Sequence, residues 1–210
     1  MSPPATFVLL RHGETALTPE KRFSGSGGSD PELSATGRHQ ADRVADALAA
    51  RGPRSVEAIV SSPLRRCRET AQAVADRLGL GVTVDDGLRE TDFGAWEGLT
   101  FKEVGERHPD DMKAWLASAD AAPSGGGESF AAVAERVAAA RDRLTAGHRG
   151  RTVLVVSHGT PIKTLVRLAL GAPPEALFRM ELSAASLTTI AYYADGNASV
   201  RVLNETAHLR

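Results

Sequence analysis

Short apolar runs alternate along this chain with longer segments of helical period, and polar clusters fall just beyond the apolar runs. Thr6, Phe7, Val8, Leu9 and Leu10 form one such run, ending at Arg11, His12 and Gly13. Its length and β-branched content predict a strand buried on both faces. Thr152, Val153, Leu154, Val155 and Val156 repeat the design, ending at Ser157, His158 and Gly159. Shorter strands are predicted over 56–60 and 82–84.

Between them the period changes to that of a helix. Ala41, Val44, Ala45 and Leu48 share one face of a helix capped by Ser34 or Thr36, running to about Ala50 and stopped by Gly52 and Pro53. Leu64, Cys67, Ala71, Val74 and Leu78 mark a second helix, with Ser62 as its cap and Pro63 in its first position. Short helices follow over 100–107 and 109–117. Phe130, Val133, Val137, Ala140 and Leu144 define a longer one, and another runs over 161–170. Strand-like segments 186–193 and 199–203, joined through Asp195, Gly196 and Asn197, predict a closing antiparallel hairpin.

Strands alternating with helices predict an α/β fold with a mainly parallel sheet covered on both faces. Ligands of such sheets bind beyond the carboxyl ends of the strands. If the two long strands lie side by side and parallel, His12 and His158 meet at that edge.

Composition narrows the functional classes. The 210 residues carry 24% charged and 42% hydrophobic side chains, ordinary for a globular protein. We read residues 1–210 as one domain, with a lid or substrate-pocket segment at about 90–129. A net charge of −1 provides no global field for nucleic acid or an anionic membrane, so any anion site must be local. One cysteine, Cys67, excludes an internal disulfide and fits a reducing compartment. With no basic leader or apolar span in the sequence, we expect a cytoplasmic protein.

The candidate chemistry lies in Arg11, His12, Arg22, Arg66, Glu90 and His158. Arginines match phosphate oxygens bidentately and stay charged at any working pH. A neutral imidazole can attack phosphorus, a protonated one can hold the equatorial oxygens, and a carboxyl group can protonate the leaving oxygen. The glycine-rich stretch from Arg22 to Pro31 could offer backbone N–H groups to an anion. Neither His12 nor His158 has a second ligand at metal-binding spacing, and no HExxH occurs. Walker A, GxSxG and strand-linked GxGxxG patterns are also missing. His39, His108, His148 and His208 sit in polar settings and read as surface residues; Trp96 and Trp115 read as packing.

Arg11-His12-Gly13-Glu14-Thr15 resembles the signature of the histidine phosphatase superfamily, in its phosphoglycerate-mutase-like branch. Matching groups follow in order: Arg22-Phe23-Ser24-Gly25, Leu33-Ser34 with Gly37, Ser62 to Arg66, Leu88-Arg89-Glu90, Phe93 to Gly98, Gly126 to Ser129, and Ser157-His158-Gly159. The resemblance spans nearly the whole chain. It implies a three-layer α/β/α sandwich and metal-independent, cofactor-free phosphomonoester hydrolysis of a small phosphorylated substrate. His12 would be the phosphorylated nucleophile, and Arg11, Arg66 and His158 would bind the phosphoryl group. Glu90 would be the proton donor, with Arg22, Ser24, Gly25 and Arg89 as further phosphate or substrate contacts. Thr18 stands where many members carry asparagine, and Cys67 where many carry alanine.

The loop from Arg22 to Pro31 and the ending from Leu203 to Leu209 resemble the acid phosphatase domain that actinobacteria fuse behind a ribonuclease H domain. They are also similar to α-ribazole phosphatases. The first likeness would make this chain one domain of a longer protein. A phosphoryl-transferring mutase and a non-catalytic phosphate-binding module are the alternative readings.

Overall fold

The computed structural model describes residues 3–210. Six strands form one sheet: β1 (Ala5–Arg11), β2 (Ala58–Ser61), β3 (Val82–Val84), β4 (Thr152–Ser157), β5 (Leu187–Tyr192) and β6 (Ala198–Glu205). Their order is β3-β2-β4-β1-β5-β6. The first four are mutually parallel; β5 runs antiparallel to β1, and β6 antiparallel to β5. The two histidine-bearing strands are therefore parallel neighbours, with Arg11 opposite Ser157.

Strand alternation assigns the two faces. Phe7, Leu9, Val153 and Val155 pack with Val133, Val137 and Ala140 of α5 (Phe130–Gly147) and Ile162 and Leu165 of α6 (Gly159–Ala169). Val8, Leu10, Leu154 and Val156 pack with Val44 and Leu48 of α1 (Ala35–Ala50) and Ala71 and Val74 of α2 (Arg65–Leu78). This is the expected three-layer α/β/α arrangement.

A third cluster lies outside the sheet. α3 (Phe101–Arg107) and α4 (Pro109–Ala117) fold over Trp96, which is fully buried against Phe23 and Trp115. Both tryptophans are core, and they brace the loop of 90–98 rather than line the main cleft. Residues 119–129 form a tied turn: Ala95 N–H donates to the Ser124 carbonyl and Glu128 N–H to that of Asp92. Among the described residues no helix is long and apolar enough to cross a membrane.

Two local expectations are corrected. Helix α2 begins at Arg65, with Leu64 and not Ser62 at the N-cap position. The Asp30 carboxylate, from the glycine-rich loop, accepts the Arg65 N–H at 2.9 Å and so does the capping from a distance. Ser62 is thereby free for another partner. His208 is not a surface residue either: its side chain is 3% exposed, and its Nε2 lies 2.9 Å from the Ala185 carbonyl oxygen.

Candidate active site

Strand β1 ends at Arg11, and the chain turns so that the His12 N–H donates to the Ser157 carbonyl on β4 at 3.0 Å. That bond carries the strand register one residue past the sheet and brings the two imidazoles to a centroid separation of 5.1 Å. The turn is tight because Gly13 and Gly37 lack side chains. A Cβ on Gly37 would sit 2.0 Å from the Glu14 carbonyl oxygen, so only glycine lets α1 approach here. Thr70 of α2 then locks the turn, accepting the Gly13 N–H at 3.1 Å and donating to the Arg66 carbonyl at 2.7 Å.

His12 is 6% exposed, and its Nδ1 lies 2.7 Å from the Gly13 carbonyl oxygen. A carbonyl only accepts, so Nδ1 carries the proton and Nε2 keeps a free lone pair. Burial, then the charges of Arg66 and Arg11, hold His12 well below the usual histidine range. Both effects favour the neutral nucleophile. His158, fully buried, is depressed for the same reasons, with His12 and Arg136 adding to the field.

Two arginines face this pair. Arg66 is 1% exposed and donates from Nη2 to the Ser24 carbonyl at 2.8 Å, while its Nε and Nη1 make no hydrogen bond and Nη1 lies 3.7 Å from the Asp30 carboxylate. Arg11 donates from Nη1 to the Leu182 carbonyl at 2.5 Å, and its Nε is buried without a partner. Guanidinium N–H groups buried without a hydrogen bond are costly, and an oxyanion between the two arginines would supply acceptors for them. Glu90 is buried, with Oε1 accepting the Thr91 N–H at 2.9 Å and Oε2 3.5 Å from the Thr160 nitrogen. Arg11, His12, Ser24, Arg66 and Glu90 line one cleft of about 430 Å³, with Lys21, Glu181 and Ser183 at its mouth. His158 is fully buried edge-on against His12 and does not itself line the cleft.

The remaining expected contacts divide. Ser24 lines the cleft and its hydroxyl is buried without a partner. Arg22 lines the wall, but its donors are taken by Glu20, by Glu103 at 3.0 Å and by the Gly98 carbonyl at 2.8 Å. The Gly25 N–H is spent on both Glu97 carboxylate oxygens at 2.9 Å, so it is not an anion donor. Arg89 is not brought to this cleft: it pairs with Asp86 and borders a neighbouring depression beside Asp92 and Glu128. The glycine-rich loop thus packs against carboxylates and does not form a phosphate nest. Thr18, in the asparagine position, lines the cleft while its Oγ1 accepts the Thr15 N–H at 3.0 Å.

Sequence reasoning missed four supporting residues. Thr70, Asp30, Glu97 and Ser62 hold the nucleophile turn, the helix start, the Ser24-Gly25 loop and His158 respectively. Asp30, Ser62 and Glu97 lay in segments already singled out, but none with this role, and Ser62 was read as a cap.

A mainly parallel sheet with two histidines edge to face, two arginines and a carboxyl group at its carboxyl edge defines a phosphoryl-handling α/β protein. Residues 7–206 match the Histidine phosphatase superfamily (branch 1), and the chain belongs to that family. It is 50% identical over 206 residues to Bifunctional protein Rv2228c of Mycobacterium tuberculosis, covering 98% of this chain and 55% of that protein. The chain thus spans about half the length of that relative. Phosphoserine phosphatase 1 of Hydrogenobacter thermophilus is 33% identical over 202 residues, covering 96% and 93%. Among solved structures, mycobacterial glucosyl-3-phosphoglycerate phosphatase complexed with VO3 superposes with a TM-score of 0.84 at 34% identity, covering 96% and 100%. A putative alpha-ribazole-5'-P phosphatase of Escherichia coli gives 0.83 at 28% identity, covering 96% and 97%. Phosphoserine phosphatase 1 and glucosyl-3-phosphoglycerate phosphatase are named for phosphatase activity, and this chain is a domain of their superfamily.

Proposed function

We propose that the domain hydrolyses small phosphomonoesters without a metal, through a phosphohistidine on His12. The observation that carries this is the free Nε2 of His12 beside N–H groups of Arg11 and Arg66 that make no hydrogen bond. Nε2 attacks phosphorus in line; the P–N bond forms as the P–O bond to the alcohol breaks. Glu90 gives its proton to the leaving oxygen and then takes one from the water that cleaves P–N. Arg11, Arg66 and His158 hold the non-bridging oxygens through both steps. Substrate supplies negative charge: a phosphoryl dianion offsets the two arginines and lets His158 take up a proton.

The cleft's size suits a phosphate with a compact leaving group, and Lys21 and Glu181 at the mouth favour a polar one. Phosphoserine, a phosphoglycerate ester and α-ribazole 5'-phosphate are the substrates to compare first. The resemblance to actinobacterial fusions supports a ribonuclease H domain as neighbour in the full-length protein. The test is p-nitrophenyl phosphate hydrolysis in excess EDTA by the parent and by His12→Ala. Turnover that survives EDTA and vanishes in the variant is expected. EDTA-sensitive turnover, or an active variant, would overturn the reading.

A further inference from the structure

Ser62 has no place in the phosphoryl transfer described above, yet it is fully buried against one of the two histidines. Its Oγ lies 2.8 Å from His158 Nε2. That hydroxyl also meets the Leu64 N–H at 3.4 Å, a weak donor to it, and the Cys67 thiol. Strand β2 ends at Ser61, and Ser62 N–H donates to the Val156 carbonyl at 2.9 Å, so the sheet itself fixes where this hydroxyl points. Cys67 of α2 closes the same side of the ring, with Sγ 3.3 Å from Nε2.

From this we infer that Ser62 is a positioning residue for His158, whose hydroxyl serves the imidazole in both of its charge states. The inference rests on the phosphohistidine reading of the site. A hydroxyl can donate or accept. When the ring is neutral, Ser62 donates to its Nε2. Once a phosphoryl dianion is bound and His158 is protonated, Nε2–H donates to the same Oγ, and the hydroxyl proton rotates away. No heavy atom has to move, so the ring keeps its orientation while its charge changes. A thiol at 3.3 Å is a poor substitute, since sulfur accepts weakly.

The charged groups facing His158 come from every side. Arg11 and His12 extend from β1, Arg66 and Cys67 from α2, Arg136 from α5, and Glu90 from the loop beside Gly159. The cations oppose a protonated ring, and Ser62 is the neutral acceptor that favours it. Removing that acceptor leaves a buried N–H⁺ with sulfur alone.

The experiment is the pH profile of kcat for p-nitrophenyl phosphate in the parent, Ser62→Ala and Ser62→Thr, with thermal melts to verify folding. In Ser62→Ala, kcat at pH 7 should fall about tenfold or more, because a hydrogen bond to a charged group is lost. The alkaline limb should move down by about one pH unit, and Ser62→Thr should restore it. A loss equal at every pH would mean a structural role and overturn the inference, as would an unchanged rate. A second readout does not depend on turnover or on the threonine fitting: ¹⁵N NMR of His158 during titration with inorganic phosphate. Protonation of the ring on phosphate binding in the parent, weakened in Ser62→Ala, is expected; identical titrations would refute it. An inactive parent with this NMR difference would count against the phosphatase reading and leave Ser62's role standing.

Discussion

Arg136 of α5 is the side chain through which the carboxyl-bearing loop is gripped. It makes a bidentate pair with Glu128, Nε to Oε1 at 2.6 Å and Nη2 to Oε2 at 2.7 Å. The same guanidinium donates to the carbonyls of Gly87 at 3.0 Å, Arg89 at 2.8 Å and Glu90 at 3.2 Å. The two side chains are 14% and 16% exposed, so the pair is nearly desolvated. Arg136→Gln removes the positive partner and strands Glu128. Breaking a buried pair costs about 3–5 kcal/mol, and residual exposure puts this one near about 3 kcal/mol. For a domain of this size that lowers Tm by about 6–12 °C. Loosening the Glu90 carbonyl also displaces its carboxyl group, and kcat should drop about tenfold with little change in KM. Glu128→Gln keeps the three carbonyl contacts, so it should lower Tm while leaving kcat near the parental value. The assays are a thermal melt and steady-state kinetics on each variant. If Arg136→Gln melts within about 2 °C of the parent, or if both variants lose kcat equally, the anchoring role is wrong.

Two further outcomes follow from the same geometry. His12 and His158 are both held below their ordinary value of 6.5, so the unfolded chain binds protons first as pH falls. Stability should be fully present above pH 6.5 and decline below it, by up to about 1.4 kcal/mol per pH unit for each histidine; a Tm that stays flat from about pH 7.5 to 5.5 would contradict this. Gly25→Ala would place a Cβ 2.1 Å from the Thr91 carbonyl oxygen and 2.3 Å from Glu97 Oε1. It should cost about 1–3 kcal/mol in a urea titration and weaken phosphate binding, because the Ser24 carbonyl that holds Arg66 would shift; an unchanged midpoint would show that the loop can yield.

The fold was legible because its signals are local and redundant. The runs at 6–10 and 152–156 are too apolar for an edge strand, and each strand–helix alternation repeats the same instruction. Arg11, His12, Arg66, Glu90 and His158 were legible because strand ends and an ordered motif set placed them at one edge. What escaped was pairing at a distance. Ser62 followed by proline looks like a helix cap, and nothing nearby in sequence reveals that Asp30 caps that helix while His158, 96 residues away, takes the hydroxyl. The glycines of residues 25–28 looked like an anion nest. Their actual constraint, the close approach of Asp92 and Glu97, belongs to a segment some 70 residues later. Arg22 lines the cleft while pairing with Glu20 and Glu103, and Arg89 pairs with Asp86 outside it; motif position alone did not reveal these acidic partners.

The central claim is a covalent bond between phosphorus and His12 Nε2. Mixing the protein with ³²P-labelled substrate, quenching in alkali, where phosphohistidine survives, and mapping the labelled peptide tests it directly. The account predicts label on His12 that disappears when the quenched protein is acidified and never forms in His12→Ala. Turnover by the parent with no label on His12 would contradict it and return the chemistry to direct attack by water.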